Sequence, residues 1–312
     1  MKGAIIGDIV GSVYEFSNIK TKDFPLFSEK CFFTDDTVMT VAVAMGLVSA
    51  SERMWDLLEQ LSETMRDYGN RYPHRGYGGR FRRWLSSPDS PAYNSWGNGA
   101  PMRCSAAGWF ASSPEKAFQL GMYTAGPTHN HPESMKAAGL TAMLIWQARN
   151  GTSKEELRQI AEKWYHLPVL DEIRERYRFD VSCMGTMPVA LSAFFESVDF
   201  EDAIRNAISI GGDSDTIAAI TGAIAEAFYG VPNDLWQKAK VFLTEDLERD
   251  VELIYDIILN NPTPLDDSYF SREELLLLPR KEQVKYLRRF RKVIRSSPRL
   301  RDFLGEVDDS KE

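Results

Sequence analysis

Two short segments of this 312-residue chain concentrate aspartates in a way that suits chemistry. Residues 32–40 read FFTDDTVMT, and residues 211–230 read GGDSDTIAAITGAIAEAFYG. Each sets closely spaced aspartates beside threonine, directly before an apolar run with helical spacing. One acid is enough to cap a helix, because its side chain accepts from the first free amides and gains from the helix dipole. A second carboxylate adds like-charge repulsion unless something positive relieves it, and a divalent cation is the commonest solution. A single start of this kind reads more readily as a cap, whereas its repetition 180 residues later favours ligands. Asp35, Asp36, Asp213 and Asp215, with threonine hydroxyls beside them, could hold two ions about 3.5 to 4 Å apart. Neither motif contains His or Cys, so the donors are hard oxygens that suit Mg²⁺ or Mn²⁺ rather than Zn²⁺ or Cu²⁺.

Four other segments offer supporting chemistry. GAIIGDIVGSVYEF (3–16) has the look of a glycine-punctuated helix start. Asp8 and Glu15, seven residues apart, would lie on nearly the same helical face and look toward one site. Gly7 and Gly11 would permit close helix packing. In RGYGGRFRRW (75–84), Gly76, Gly78 and Gly79 can expose consecutive backbone amides as an anion-binding concavity, with Tyr77 available to stack or hydrogen-bond. In NSWGNGAPMRCS (94–105), Ser95, Asn98 and Gly99 offer neutral polar contacts and Trp96 a stacking surface. PTHNHPES (127–134) places His129 and His131 before a helix, where isolated histidines more often cap or face solvent than catalyse.

The elements that must position these residues are helices. Apolar residues recur at helical spacing through most of the chain and period-two alternation is scarce, so the fold class is all-α. Val38, Val41, Ala42 and Met45 mark a core helix over 37–49, and Ile217, Ile220, Ile224 and Phe228 mark another over 216–230. Further helices are expected at 52–70, 115–124, 132–150, 153–165, 186–197, 200–209, 233–243 and 246–260. The stretch from Tyr72 to Cys104, rich in Gly, Pro, Ser, Arg and aromatics, breaks the periodicity and reads as a site-forming loop. The motifs span Asp8 to Thr216, so one domain gathers them. Its expected limits are 1–265, with a polar and basic helical extension over 266–312 packed by Leu287, Phe290 and Ile294.

Composition excludes several classes. With 43% hydrophobic and 12% aromatic residues the chain can bury a large core. A formal net charge of -8 argues against a general nucleic-acid binder, which needs a basic footprint. Three cysteines without CxxC spacing indicate neither a disulfide framework nor a zinc-thiolate site, and a reducing cytoplasm is expected. Asp8 interrupts the N-terminal apolar stretch before signal-peptide length, and the longest apolar segments, such as AAGLTAMLIW, are too short to span a bilayer. A cytoplasmic monomer is the expected state.

Taken in order, GDIVGSVYE, FTDDTVMT, GYGGRF, GNGAPMR, THNHPES and GGDSDTIAAITGAIAEAFYG resemble the ADP-ribosylglycohydrolase family over about residues 1–260. The resemblance implies a compact multi-helix fold with a central binuclear metal cleft holding two Mg²⁺ or Mn²⁺ ions, where ADP-ribose docks. It implies Thr34, Asp35 and Asp36 as metal ligands on one side and Asp213, Asp215 and Thr216 on the other. Glu15 matches a mobile glutamate tied to catalysis or gating, and with Asp35 and Asp36 makes up the implied catalytic set. Gly76, Tyr77, Gly78 and Gly79 match a diphosphate-cradling loop. Ser95, Trp96, Asn98 and Gly99 match a ribose and phosphate wall, and His129 a histidine near the ligand. Ala100-Pro101 and Trp96 depart from many relatives and bear on substrate detail. The implied activity is metal-dependent cleavage of the glycosidic bond of an ADP-ribosyl group, on a modified protein side chain, a small molecule or a nucleobase. The alternatives are an ADP-ribose reader without turnover and a two-metal nucleotide-diphosphate phosphohydrolase; without the resemblance the phosphohydrolase ranks first, because the acid clusters alone do not say which bond is broken.

Overall fold

The computed structural model describes residues 1–49 and 54–260. The expected basic extension over 266–312 lies outside the described residues. In chain order the helices are α1 (Lys2–Gly11), α2 (Asp35–Ser49), α3 (Met54–Arg71), α4 (Gly79–Leu85), α5 (Ser105–Phe110), α6 (Pro114–Ala125), α7 (Pro132–Arg149), α8 (Lys154–Glu162), α9 (Leu170–Ile173), α10 (Cys183–Phe195), α11 (Phe200–Ser209), α12 (Ser214–Tyr229), α13 (Asn233–Lys240) and α14 (Glu245–Asn260). A 3-10 turn, Pro101–Arg103, precedes α5. Among the described residues there is no strand, only one isolated antiparallel bridge between Gly97 and Ser182. The all-α expectation holds.

The architecture is organised around the crossing of α1 and α12. Both are apolar on nearly every face, as helices are when neighbours surround them: every residue of α1 after Lys2 is buried, as is α12 from Ser214 to Glu226. Their backbones touch through a ladder of small residues. A Cβ on Gly3 would overlap the Gly222 carbonyl, one on Gly7 the Ala218 carbonyl, and one on Gly11 the backbone of Asp215. The glycine spacing is thus a packing device, and it fixes the C-terminal end of α1 against the N-terminal end of α12. Around this pair, α2 packs on α3, α11 and α10 on α12, and α7 on both α6 and α12.

Helix starts follow local chemistry. Ser153 and Glu156 form a capping box at α8, Ser182 caps α10, Asp199 caps α11, and His131 Nδ1 accepts from the Glu133 amide at the head of α7. The expected helices all appear, with ends shifted by a few residues. The stretch 72–104 is not one loop, because it holds α4 and the 3-10 turn. The short helices α5 and α9 also lie outside the expected set.

Glu15 requires a correction. Helix α1 stops at Gly11, and residues 12–17 form turns and bends, so Glu15 does not share a helical face with Asp8. It reaches the same region by another route. The exposed Asn18 side chain donates to the carbonyls of Tyr14 (2.7 Å), Glu15 (2.8 Å) and Gly212 (2.9 Å), and accepts from the Gly212 amide at 2.7 Å. Gly211 and Gly212 have φ of 67° and 77°, a turn that favours glycine. Asn18 therefore staples the Glu15 segment to the turn that leads into α12.

Candidate active site

Three helix ends and the Glu15 turn converge at one end of the α1–α12 crossing. Asp8, on α1, is fully buried and caps α2 from outside. Its carboxylate accepts from the Thr34 amide (3.0 Å), the Thr34 hydroxyl (2.6 Å), the Thr37 amide (3.0 Å) and the Thr37 hydroxyl. Thr34 Oγ1 in turn accepts from the Asp36 amide at 3.2 Å. The amides at the head of α2 are thus satisfied by the Arg75 carbonyl, Thr34 and Asp8, which leaves the Asp35 and Asp36 side chains without a capping duty. The same holds at α12: Asp213 occupies the N-cap position but its side chain caps nothing, and instead accepts from Asn98 Nδ2 at 2.6 Å.

The freed carboxylates face one another. Single carboxylate oxygens of Glu15, Asp213 and Asp215 lie within 4.8 Å of each other, the spacing of donors around one cation. Thr216 Oγ1 donates to Asp36 Oδ2 at 3.2 Å and joins the two aspartate motifs directly. Asp36 Oδ1 and Asp215 Oδ1 are buried and have no hydrogen-bond partner within the protein. Burial, then the charges of Asp215 and Asp8, holds Asp35 and Asp36 well above the ordinary carboxylate range; Asp215 is raised by burial and by Asp213. Asp213 is pushed up to about 6, chiefly by burial, against the hydrogen bond from Asn98. Glu15, half-buried, is pushed up to about 8 by burial and by Asp215 and Asp8. Carboxylates packed this closely repel each other when ionised, and orphaned buried oxygens in such a set fit hard divalent cations.

A second group adjoins the acids through the Gly97–Gly99 segment. While Asn98 reaches Asp213 and Thr186 (3.1 Å), its two glycine neighbours flank a buried imidazole. A Cβ on Gly99 would sit 2.9 Å from His129 Nε2, and one on Gly97 would sit 3.6 Å from it. Asn98 thus spends its amide on a protein carboxylate, a role its spacing did not reveal. Ser95 Oγ accepts from the Gly97 amide at 3.3 Å, and Trp96 keeps 49% of its surface exposed. Burial and the neighbouring Arg103 and Arg80 hold His129 well below its usual range, so it is a neutral imidazole. On the opposite side, Gly76 (φ 95°) abuts Asp35, and Gly78 and Gly79, at the head of α4, have open space where side chains would be. Tyr77 turns inward: it is buried, stacks on Phe81 at 5.5 Å, and its hydroxyl is unpartnered. Sequence reasoning missed Asp8 as the external cap, Asn18 as the staple, and Arg103 and Thr128 behind His129. Only Asp8 carried a signal, a lone acid in an otherwise apolar helix.

An all-helical fold that aims aspartates from two helix starts at a shared centre, with glycine-rich segments beside them, defines a helical protein with a buried acidic centre. The comparisons make this specific. Residues 1–263 match the ADP-ribosylglycohydrolase family, and the chain belongs to it. Its reaction class is accordingly hydrolysis of an ADP-ribosyl linkage. It is similar to ADP-ribosylhydrolase ARH3 of Mus musculus, at 24% identity with 77% of this chain and 85% of the relative covered. It is also similar to the ADP-ribosylarginine hydrolase Tri1 of Serratia proteamaculans (strain 568), at 27% identity covering 74% and 70%, and to the ADP-ribosyl-[dinitrogen reductase] glycohydrolase of Rhodospirillum rubrum, at 27% covering 71% and 78%. A solved ADP-ribosylglycohydrolase-related protein complex superposes with a TM-score of 0.59 at 26% identity, covering 82% of this chain and 95% of that one. No described helix is long and apolar enough to cross a membrane.

Proposed function

We propose that this protein releases ADP-ribose by hydrolysing the bond from C1″ of an ADP-ribosyl group to a protein side chain or a small molecule, with two divalent cations, Mg²⁺ or Mn²⁺, in the acidic cleft. The observation that supports this most is the pair of orphaned, buried oxygens, Asp36 Oδ1 and Asp215 Oδ1, within a set of mutually repelling carboxylates. Thr34, Asp35 and Asp36 would hold metal from α2, and Asp213, Asp215 and Thr216 from α12. Bound there, the ions would supply positive charge that binds ribose hydroxyls, lowers the pKa of a water and stabilises the transition state.

The protein's own groups account for the rest. Asp8 fixes the backbone that aims Asp35 and Asp36, and Asn98 orients Asp213. Glu15, with a pKa near neutrality, can hold or take a proton at its carboxylate. It would serve the water that adds to C1″ or the atom that leaves it. The open glycine face at Gly78 and Gly79 suits a diphosphate, and Ser95, Trp96, Gly99 and His129 suit the distal ribose and phosphate. Three free, buried cysteines accord with a reducing cytoplasm.

The test is product analysis. Arginine-, serine- and acetyl-linked ADP-ribosyl substrates are incubated with Mg²⁺, Mn²⁺ or EDTA, and ADP-ribose is resolved from AMP by chromatography. Metal-dependent ADP-ribose release, lost in Asp215→Asn, is the expected result. AMP as the product would assign diphosphate cleavage instead. Binding of ADP-ribose without release from any substrate would make the protein a reader.

A further inference from the structure

Arg80 directly follows Gly78 and Gly79, the residues with open space where side chains would be. Its side chain reaches away to Tyr93: Nη2 donates to the Tyr93 carbonyl at 2.8 Å, and the guanidinium carbon lies 5.0 Å from the centre of the Tyr93 ring. The Tyr93 ring packs against the His129 ring at 6.0 Å. The backbone beyond Tyr93 is tied to the same histidine segment, since the Asn94 amide donates to Asn130 Oδ1 at 2.8 Å and the Ser95 amide to the Thr128 carbonyl at 3.4 Å. One side chain therefore spans from the glycine face to the wall that carries Ser95, Trp96 and His129.

The charge of Arg80 has no counterpart in the protein. Surface arginines such as Arg71 and Arg205 pair with Asp67 and Glu201, whereas Arg80 is exposed and meets no carboxylate among the described residues. The Tyr93 carbonyl takes one of the guanidinium's donors and the ring restrains its swing, so the remaining donors are held in place without a protein partner. The same charge reaches the buried wall: after burial, Arg103 and Arg80 are what hold His129 below its usual range. The cleft beside it is crowded with carboxylates, and Gly76 abuts Asp35. A diphosphate entering there meets like charge, which the neutral amides of Gly78 and Gly79 do not offset. A guanidinium does, and its planar fork matches two phosphate oxygens.

We propose that Arg80 binds the diphosphate of the ligand directly, its guanidinium closing the gap between the glycine face at Gly78 and Gly79 and the wall of Tyr93 and His129. That the diphosphate belongs to an ADP-ribosyl group rests on the function proposed above; the anion site does not depend on hydrolysis.

The experiment separates the two. Calorimetry on the full-length protein with Mg²⁺ measures ADP-ribose and ADP, which share the diphosphate, in the wild type and in Arg80→Met, Arg80→Lys and Arg82→Met. Arg80→Met should weaken both ligands about tenfold or more, the worth of a hydrogen bond between charged groups, with Mn²⁺ affinity and Tm unchanged. Arg80→Lys keeps the charge but not the fork and should recover only part of the loss. Arg82→Met removes the same charge from an exposed position two residues on in α4, and it should leave both affinities at the wild-type value. Added NaCl should weaken ADP-ribose binding in the wild type and do so less steeply in Arg80→Met, a difference that a merely structural arginine would not produce. On a substrate that the wild type turns over, Arg80→Met should raise KM with kcat kept. Unchanged ADP-ribose affinity in Arg80→Met, or an equal loss in Arg82→Met, overturns the proposal, as does a wild type that binds neither ligand. If the wild type hydrolyses an ADP-ribosyl substrate and Arg80→Met does so with the same KM, the proposed function stands and the anion site falls. If binding depends on Arg80 but no ADP-ribosyl substrate is cleaved, the site stands and the hydrolytic function falls.

Discussion

Loading the acidic cleft with a divalent cation at pH 7 should expel at least about one proton per chain. Glu15, pushed to about 8 by burial and by the charges of Asp215 and Asp8, and Asp213, pushed to about 6 mainly by burial, supply the minimum count. At pH 7 a group of pKa about 8 is roughly 90% protonated and one of about 6 roughly 10%, together about one proton. Asp35, Asp36 and Asp215 are raised well above the usual range and add to it. These protons must leave for the carboxylates to face a cation, so Mn²⁺ affinity should rise at least about tenfold per pH unit near pH 7. Titration calorimetry at pH 7 in two buffers of different ionisation enthalpy measures the release directly, and Glu15→Gln should lower it by nearly one. Heats that do not depend on the buffer, or an affinity flat across this pH range, would refute the reasoning.

The same shifts fix the sign for stability. Glu15 moves from an ordinary value of 4.5 up to about 8 on folding. The folded state without metal therefore binds its protons more tightly than the unfolded chain. That stabilisation is full below about 4.5 and is lost as pH rises through about 8. The gain in Tm from added Mg²⁺ should consequently grow from pH 6 to about 8.5, which thermal melts with Mg²⁺ or EDTA would show.

Three substitutions probe the scaffold. Asp8→Ala leaves the Thr34 and Thr37 amides buried without an acceptor and should cost about 2–4 kcal/mol in urea unfolding; a loss under about 1 kcal/mol would mean that Asp8 is not what caps α2. Gly7→Ala drives a methyl into the Ala218 carbonyl and should cost about 1–3 kcal/mol or more, read as a lowered Tm, since α1 and α12 cannot separate without opening the core. Asn18→Ala unties Glu15 from the Gly211–Gly212 turn and should lower both Mn²⁺ affinity and turnover by about tenfold or more. Wild-type affinity in that variant would show that α12 holds Asp213 and Asp215 unaided.

Much of the fold was legible because helical periodicity is local. The expected helices over 200–209 and 246–260 appear as Phe200–Ser209 and Glu245–Asn260. Boundaries erred where a group from elsewhere decides them. Helix α2 begins at Asp35 rather than at 37 because distant groups satisfy its head: the Arg75 carbonyl accepts from the Asp35 amide at 2.6 Å, and Asp8 accepts from the Thr37 amide at 3.0 Å. The short α4, α5 and α9 escaped notice because helices of four to seven residues complete too few turns to show a period.

The site divides along the same line. Two aspartate-rich helix starts are visible from their residues alone because like charges set side by side need a reason, and Thr216 donating to Asp36 joins the two motifs in space. The supports around them are invisible for an equally physical reason. Asn18, Asn98, Arg103 and Thr128 are common residue types, and each acts through a partner that tertiary packing alone supplies. Glu15 shows how the two kinds of information can conflict: seven-residue spacing promised a shared face with Asp8, yet the helix ends at Gly11, and an asparagine staple, not helical periodicity, carries the carboxylate to the other acids. A carboxylate placed by a turn rather than a helix can shift without disturbing the core, whereas Asp36 and Asp215 cannot move unless α2 or α12 moves with them. The fold thus separates aspartates held on helix starts from one carboxylate held on a turn, and under the function proposed above that turn is where an acid could both admit substrate and handle its proton.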